Sequence, residues 1–255
     1  MIPLREQEYI RERFERELEG RVKIDYFTQR ASALYVPGRE ECAYCEDTRV
    51  MLEELASLTD KVTLTVHDFT SAPEDARKLG VDKVPGISVR GPANRALRFF
   101  GIPGGNEFPN FVDTLIAASK QRTELGPEAA KQLKKLKDRV SIAVYVTPTC
   151  PHCPGVVRAA YRLALASPHI AAAAIEIGEF PRLAQQLGIR AVPFTVFNDR
   201  AAVAGAMDEQ GLIEGALQAA EQGAIGTPTA STRGATSEAG APQAEAPGSR
   251  LILPH

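Results

Sequence analysis

The stretch VTPTCPHCPG, residues 146–155, sets Cys150 and Cys153 two residues apart, flanks them with prolines, and follows directly on the apolar run VSIAVYV. A metal site, a structural staple and a redox pair all use cysteines at this spacing, so the rest of the chain must choose among them. The other two cysteines, Cys42 and Cys45, form a second pair, CAYC, displaced from the first by 108 positions. The same displacement relates LGVDKVPG (79–86) to LGIRAVPF (187–194), matching Val84 with Val192 and Pro85 with Pro193, and it relates Asp68 to Glu176. Each half therefore carries a cysteine pair followed 40 positions later by Val-Pro, which marks a duplication.

Both halves read as the same order of elements. In the first, Leu4, Ile10, Phe14 and Leu18 stripe a helix, VKIDYFT (22–28) is a strand, Cys42 opens a helix running to about Leu58, and VTLTVHDF (62–69) is a strand. Ser71 with Glu74 three residues on reads as a capping box for a helix ending at Gly80. GISVR and ALRFF form a hairpin across GPAN, and a last helix turns Phe108, Phe111, Leu115 and Ile116 to one side. In the second half Pro127 starts a helix with Leu133 and Leu136 inward, VSIAVYV is the strand, Cys150 opens a helix, and FTVF with AAVA makes the hairpin.

A strand, a crossover helix and a parallel strand, followed by an antiparallel hairpin, give a mixed sheet covered by helices on both faces. The expected fold is α/β, two tandem thioredoxin-like units over residues 1–120 and 121–222. Residues 223–255 have almost no large apolar side chains and read as a flexible low-complexity tail. The halves differ in that TQRASALYVPGREE separates Thr28 from Cys42, an insertion of about 10 or 11 residues relative to the approach to Cys150.

Composition narrows the function classes. At 255 residues and 44% hydrophobic content the chain can fill ordinary cores. Its 30 basic and 32 acidic residues are interspersed, which disfavours nucleic acid or an anionic membrane as a partner. The charged N-terminus MIPLREQEYIRERFEREL lacks the apolar core that secretion needs, and no run approaches membrane-spanning length, so a cytoplasmic location is expected. Four cysteines are too few for a stapling framework. Structural zinc stays an alternative, although zinc modules separate their pairs by about 15 to 20 residues and 105 positions separate Cys45 from Cys150. No metal and no bound cofactor is expected beyond the redox-active disulfides themselves.

A CxxC pair at a helix start is a redox pair for a physical reason. A free thiol with its usual pKa is only about 3% thiolate at pH 7, and the thiolate is the nucleophile. A helix N-terminus aims unpaired N–H groups and the positive end of the dipole at the first sulfur, while the second cysteine, one turn along, is in reach to resolve a mixed disulfide. Between the cysteines, Pro151 suits the first helical position and His152 adds positive charge, whereas Ala43 and Tyr44 offer no cation. The second pair should therefore have the lower thiol pKa and the less negative potential. Val84-Pro85 and Val192-Pro193 are expected to face the cysteines and present backbone to a substrate chain that adds like a strand, with Gly101 and Gly205 letting backbone approach the same groove. Asp25, six positions before Cys42 if the insertion is counted as 11, is a candidate to exchange a proton with Cys45, as a buried carboxylate does in thioredoxins. His67 and His169 read as structural, and GIPGG as a tight turn.

With CAYC, LASLTDK, VHDF, FFGIPGGNEF, VTPTCPHCPG and the two Val-Pro sites in hand, residues 3 to 222 resemble the protein disulfide oxidoreductases. These glutaredoxin-like proteins carry two tandem thioredoxin-fold units. The resemblance implies a cytosolic dithiol–disulfide exchanger recharged by an NADPH-dependent flavoprotein thioredoxin reductase, with Cys42 and Cys150 as attacking thiols and Cys45 and Cys153 as resolving thiols. The longer loop before Cys42, His152 where tyrosine is common, and the tail depart from the family pattern. Disulfide- or thiol-bearing client proteins are the expected partners. A dedicated electron donor to a peroxiredoxin and a peptide-binding or chaperone module without turnover are the alternatives.

Overall fold

A computed structural model describes residues 2–29, 41–120 and 125–222. The expectations for the insertion before Cys42 and for the tail at 223–255 lie outside the described residues. The first half is α1 (Leu4–Glu17), β1 (Val22–Thr28), α2 (Cys45–Ser57), β2 (Val62–Asp68), α3 (Pro73–Leu79), β3 (Gly86–Arg90), β4 (Leu97–Phe100) and α4 (Glu107–Ser119). The second is α5 (Pro127–Leu133), β5 (Val140–Val146), α6 (Cys153–Ala166), β6 (Ile170–Glu176), α7 (Pro181–Gln186), β7 (Phe194–Phe197), β8 (Ala201–Ala204) and α8 (Glu209–Glu221).

In both halves the first strand runs parallel to the second and antiparallel to the first strand of the hairpin. The halves do not keep separate sheets. β4 lies parallel to β6, Phe100 beside Ile175, and this pairing joins everything into one eight-stranded mixed sheet in the order β2-β1-β3-β4-β6-β5-β7-β8. β4, the outer strand of its hairpin, and β6, the outer parallel strand of the other half, each offer ladder groups on a free edge, and the two edges satisfy each other.

The alternation of β1 sorts its side chains by face. Val22, Ile24 and Tyr26 join Leu52, Leu55, Phe111 and Leu115 in a core that continues through Val140, Ile142 and Val144 into the second half. On the opposite face, Phe27, Ala76, Leu79 and Phe100 meet Tyr145, Ile175 and Val196 in a smaller core, again shared by both halves.

Three local expectations need correction. Leu4 opens α1 but is 82% exposed, so the buried stripe begins at Ile10. Ser71 and Glu74 form no capping box: the Asp68 carboxylate accepts the Ser71 backbone N–H at 3.1 Å and holds Ser71 in a turn, and the helix starts instead at Pro73, whose fixed φ suits a first turn. The helices at the cysteine pairs begin at Cys45 and Cys153, three residues later than expected, with Tyr44 and His152 in the capping positions. Pro154, not Pro151, therefore occupies the first helical turn.

Candidate active site

Each cysteine pair is a disulfide at the N-terminal end of a helix, Cys42–Cys45 with Cα atoms 5.4 Å apart before α2 and Cys150–Cys153 with 5.6 Å before α6. Cys45 and Cys153 are buried, and Cys42 is more open than Cys150. The Cys153 backbone N–H donates to the Cys150 sulfur at 3.1 Å, the hydrogen bond that a thiolate formed there on reduction would also use. Pro151 and His152 are exposed, as are Ala43 and Tyr44. The surroundings differ in charge: the first turn of α2 carries Glu46 and Asp47, while the first turn of α6 carries no acidic residue.

Strand register brings the Val-Pro elements to the same end of the sheet. Gly86, directly after Pro85, lies opposite Phe27 near the end of β1, and Phe194, directly after Pro193, lies opposite Tyr145 near the end of β5. Both prolyl bonds, Val84-Pro85 and Val192-Pro193, are cis. The glycines repeat as well. The Gly101 N–H donates to the Pro85 carbonyl and the Gly205 N–H to the Pro193 carbonyl, each at 2.8 Å. Their φ angles of 92° and 99° lie where a side chain strains the backbone. Gly101 is buried, whereas Gly205 is exposed.

Asp25 does not sit where the expectation put it. Val22 pairs with Val62 and Val140 with Ile170, so the first strands are displaced by 118 positions and their partners by 108, an insertion of 10 residues rather than 11. Because side chains alternate, that one residue moves Asp25 to the other face of the sheet. There its carboxylate accepts from Arg90 at 2.6 Å and meets the His67 Nε2 at 3.0 Å, and His67 in turn stacks on Phe27. Tyr26 takes the place on the cysteine side, and its hydroxyl donates to the Cys45 carbonyl at 2.6 Å. Burial pushes the Tyr26 phenol up to about 12. His67 thus has a definite structural partner, which no motif in the sequence announced.

Sequence reasoning missed two carboxyls that packing desolvates, one buried and one half-buried. Glu107 opens α4 at 1% exposure, and its Oε2 accepts from the Asn110 side chain at 2.9 Å while Oε1 has no hydrogen-bond partner among the described residues. Burial lifts it to about 7, against an opposing pull from Arg158 of α6. The neighbouring Asn106 N–H donates to the Pro148 carbonyl at 2.8 Å, so this end of α4 abuts the loop that leads to Cys150. Glu179 follows β6, and its Oε1 accepts from the Ile102 N–H at 2.5 Å. Burial and nearby Glu176 lift it too to about 7. A glutamate in a first helical turn or after a strand ordinarily reads as a solvated charge, and only tertiary packing shows otherwise.

Beside the first pair opens a groove of about 800 Å³ whose walls include Tyr44, Met51, Ile102, Pro103 and Phe108. Among the described residues, no cluster of three or more His, Cys, Asp or Glu side chains could hold a metal ion, and no helix is long and apolar enough to cross a membrane.

Comparison with known proteins agrees with this geometry. The Thioredoxin domain family matches residues 140–218. The F subunit of the alkyl hydroperoxide reductase of Pseudomonas aeruginosa is 31% identical over 149 residues, 58% of this chain and 26% of its own length. An NADH dehydrogenase of Bacillus subtilis is 26% identical over 163 residues, 64% of this chain and 30% of its own length. The chain thus spans under a third of these relatives. Among solved structures, a protein disulfide oxidoreductase from Aeropyrum pernix superposes with a TM-score of 0.75 at 25% identity, covering 87% of this chain and 95% of that one. The N-terminal domain of the alkylhydroperoxide reductase AhpF from Enterococcus faecalis shares the fold, with a TM-score of 0.74 at 24% identity over 84% of this chain and 99% of that one. The chain is a thioredoxin-fold protein with two CxxC disulfides, built like the protein disulfide oxidoreductase of Aeropyrum pernix and equipped for dithiol–disulfide exchange.

Proposed function

We propose that the chain exchanges dithiol and disulfide with client proteins at both cysteine pairs. The observation that carries this reading is the repeated placement of a disulfide at a helix N-terminus in both halves, one of them with a backbone N–H already on the first sulfur. In the reducing direction, the thiolate of Cys42 or Cys150 attacks a client disulfide, forming a mixed disulfide and releasing one client thiolate, which takes up a proton. The thiol of Cys45 or Cys153 then loses its proton and attacks the mixed disulfide. The second client thiolate leaves and the protein disulfide is restored, so two electrons pass to the client. Oxidation of a client dithiol is the same sequence reversed. Val84, Pro85, Val192 and Pro193 offer the client backbone its edge, with Gly101 and Gly205 behind them. Ala43, Tyr44, Pro151 and His152 tune the sulfurs and meet the client. Glu107, buried beside the loop of the second pair and titrating near neutrality, supplies or takes the proton there.

The electrons come from a separate pyridine-nucleotide-dependent flavoprotein of the thioredoxin reductase type. The relatives' names support a reductase partner, since the chain matches only a part of proteins named as an alkyl hydroperoxide reductase subunit and an NADH dehydrogenase. The same names favour a second reading, delivery of those electrons to one peroxide-reducing peroxiredoxin. We place the protein in the cytoplasm, divided into units over 1–120 and 121–222.

The test is NADPH oxidation in the presence of a thioredoxin reductase and a disulfide substrate, for the wild type and for each pair changed to serine. Turnover with insulin-like disulfides supports the broad exchanger, and turnover with a peroxiredoxin alone supports the dedicated donor. Full turnover in a variant with all four cysteines changed to serine would refute both.

A further inference from the structure

The two sites are not equivalent in how their substrate edges are supported. In the second half Gly205, bonded to the Pro193 carbonyl, has no neighbour among the described residues where a Cβ would point. In the first half the matching space at Gly101 is filled by the other half: a Cβ there would lie 2.8 Å from the Glu179 Oε1 and 2.9 Å from the Glu176 Cβ. Glu179 reaches this spot because β4 and β6 run side by side and end together, Phe100 beside Ile175. The turn after β6 is pinned by Glu176, which accepts the N–H groups of Gly178 and Glu179 at 2.9 and 3.0 Å. The first half makes the same turn with Asp68, but Ser71 stands where the second half has Glu179, so only one of the two turns projects a carboxylate.

The Glu179 carboxylate accepts from the Ile102 N–H. Ile102 lines the groove beside Tyr44, and the preceding Gly101 donates to the Pro85 carbonyl. Resting on the oxidoreductase reading above, we propose that Glu179 of the second half is a positioning residue for the first site: it holds Gly101 and Ile102 so that the groove wall and the Pro85 edge stand ready for a client chain at Cys42. It touches no reacting atom. The titratable groups that act on it or feel it are Glu176, in the same turn, and the Tyr26 hydroxyl of β1. With its carboxyl at about 7, the charged acceptor is in place above that pH and is lost as the pH falls through it.

The proposal is tested in full-length protein with Cys150 and Cys153 changed to serine, so that only the first pair turns over, using an oxidised peptide as substrate and dithiothreitol as the two-electron reductant. Wild-type Glu179 should give a KM that rises as the pH is lowered from 8 to 6, with kcat following the thiol chemistry. Glu179→Ala should raise KM about tenfold at pH 8, the scale of one charge-assisted hydrogen bond, and abolish its pH dependence. Glu179→Gln, a neutral acceptor of the same shape, should show a flat KM near the wild-type value at low pH. In protein with Cys42 and Cys45 changed to serine, Glu179→Ala should leave KM unchanged. An unchanged first-site KM and pH profile in Glu179→Ala, or an equal change at the second site, would overturn the proposal. Should the first pair turn over no peptide, the oxidoreductase reading of that site fails and the positioning role is judged on hydrogen exchange alone. Glu179→Ala should speed exchange of the Ile102 amide about tenfold while the unfolding midpoint shows the fold intact, and unaltered exchange overturns it.

Discussion

Replacing Glu107 by glutamine tests the electrostatics of the buried carboxyl. In the folded protein the group titrates at about 7, and burial is the first cause. In the unfolded chain it titrates near its ordinary 4.5. Between those values the unfolded chain has released a proton that the folded one keeps, so stability falls as the pH rises through this window and levels off above 7. At about 1.36 kcal/mol per pH unit the loss from this one group comes to about 3 kcal/mol. The side chain is 1% exposed, so solvent screening discounts little of it. A glutamine side chain at this position keeps an oxygen to accept from Asn110 and carries no charge to bury. Urea unfolding of the oxidised proteins followed by circular dichroism at pH 5, 6, 7 and 8 should show the variant matching the wild type at pH 5 and exceeding it by about 3 kcal/mol at pH 8. Parallel pH profiles for the two proteins would refute the reasoning, because they would mean that the carboxyl has a partner or water path that burial conceals. The same variant, assayed with only the second pair intact, should lose the acidic limb of its rate profile if Glu107 handles the proton there.

Other predictions follow from the geometry of the two pairs. The second pair should be the stronger oxidant, since His152 and an acid-free first turn favour a thiolate at Cys150 while Glu46 and Asp47 stand beside the first pair; glutathione titration of each pair alone reads this, and a less negative potential at Cys42–Cys45 would contradict it. Asp25→Asn should cost about 2 kcal/mol by weakening the hold of Arg90 and His67 on β1, yet leave first-site exchange rates within about twofold, and a large rate loss without loss of stability would return Asp25 to the site. Tyr26→Phe removes the side-chain donor to the Cys45 carbonyl, which keeps its helical bond within α2, and should cost about 1 kcal/mol, measured by urea unfolding, and an unchanged midpoint would contradict it.

The duplication, the two redox pairs and the Val-Pro elements were legible in the sequence because each rests on local chemistry repeated at a constant spacing. Cysteines and prolines impose their requirements on the backbone within a few residues, so a displacement of 108 carries them from one half to the other unchanged, whereas Gly101 and Gly205, beyond hairpins of different length, are 104 apart. The strands were legible for the same kind of reason, as runs such as VKIDYFT and VSIAVYV reappear as β1 and β5. Helix starts were less so, because Asp68 bonded Ser71 before any capping box could form and the residues between the cysteines stayed out of α2 and α6. Only tertiary structure decided which face Asp25 occupies, since counting the insertion as 10 rather than 11 residues exchanges the faces assigned to every side chain of the strand that precedes it. It alone merged the halves into one sheet and brought Glu179 of one half against Ile102 of the other. A carboxylate's meaning depends on what desolvates it, and what surrounds Glu107 and Glu179 comes from chain segments distant in sequence.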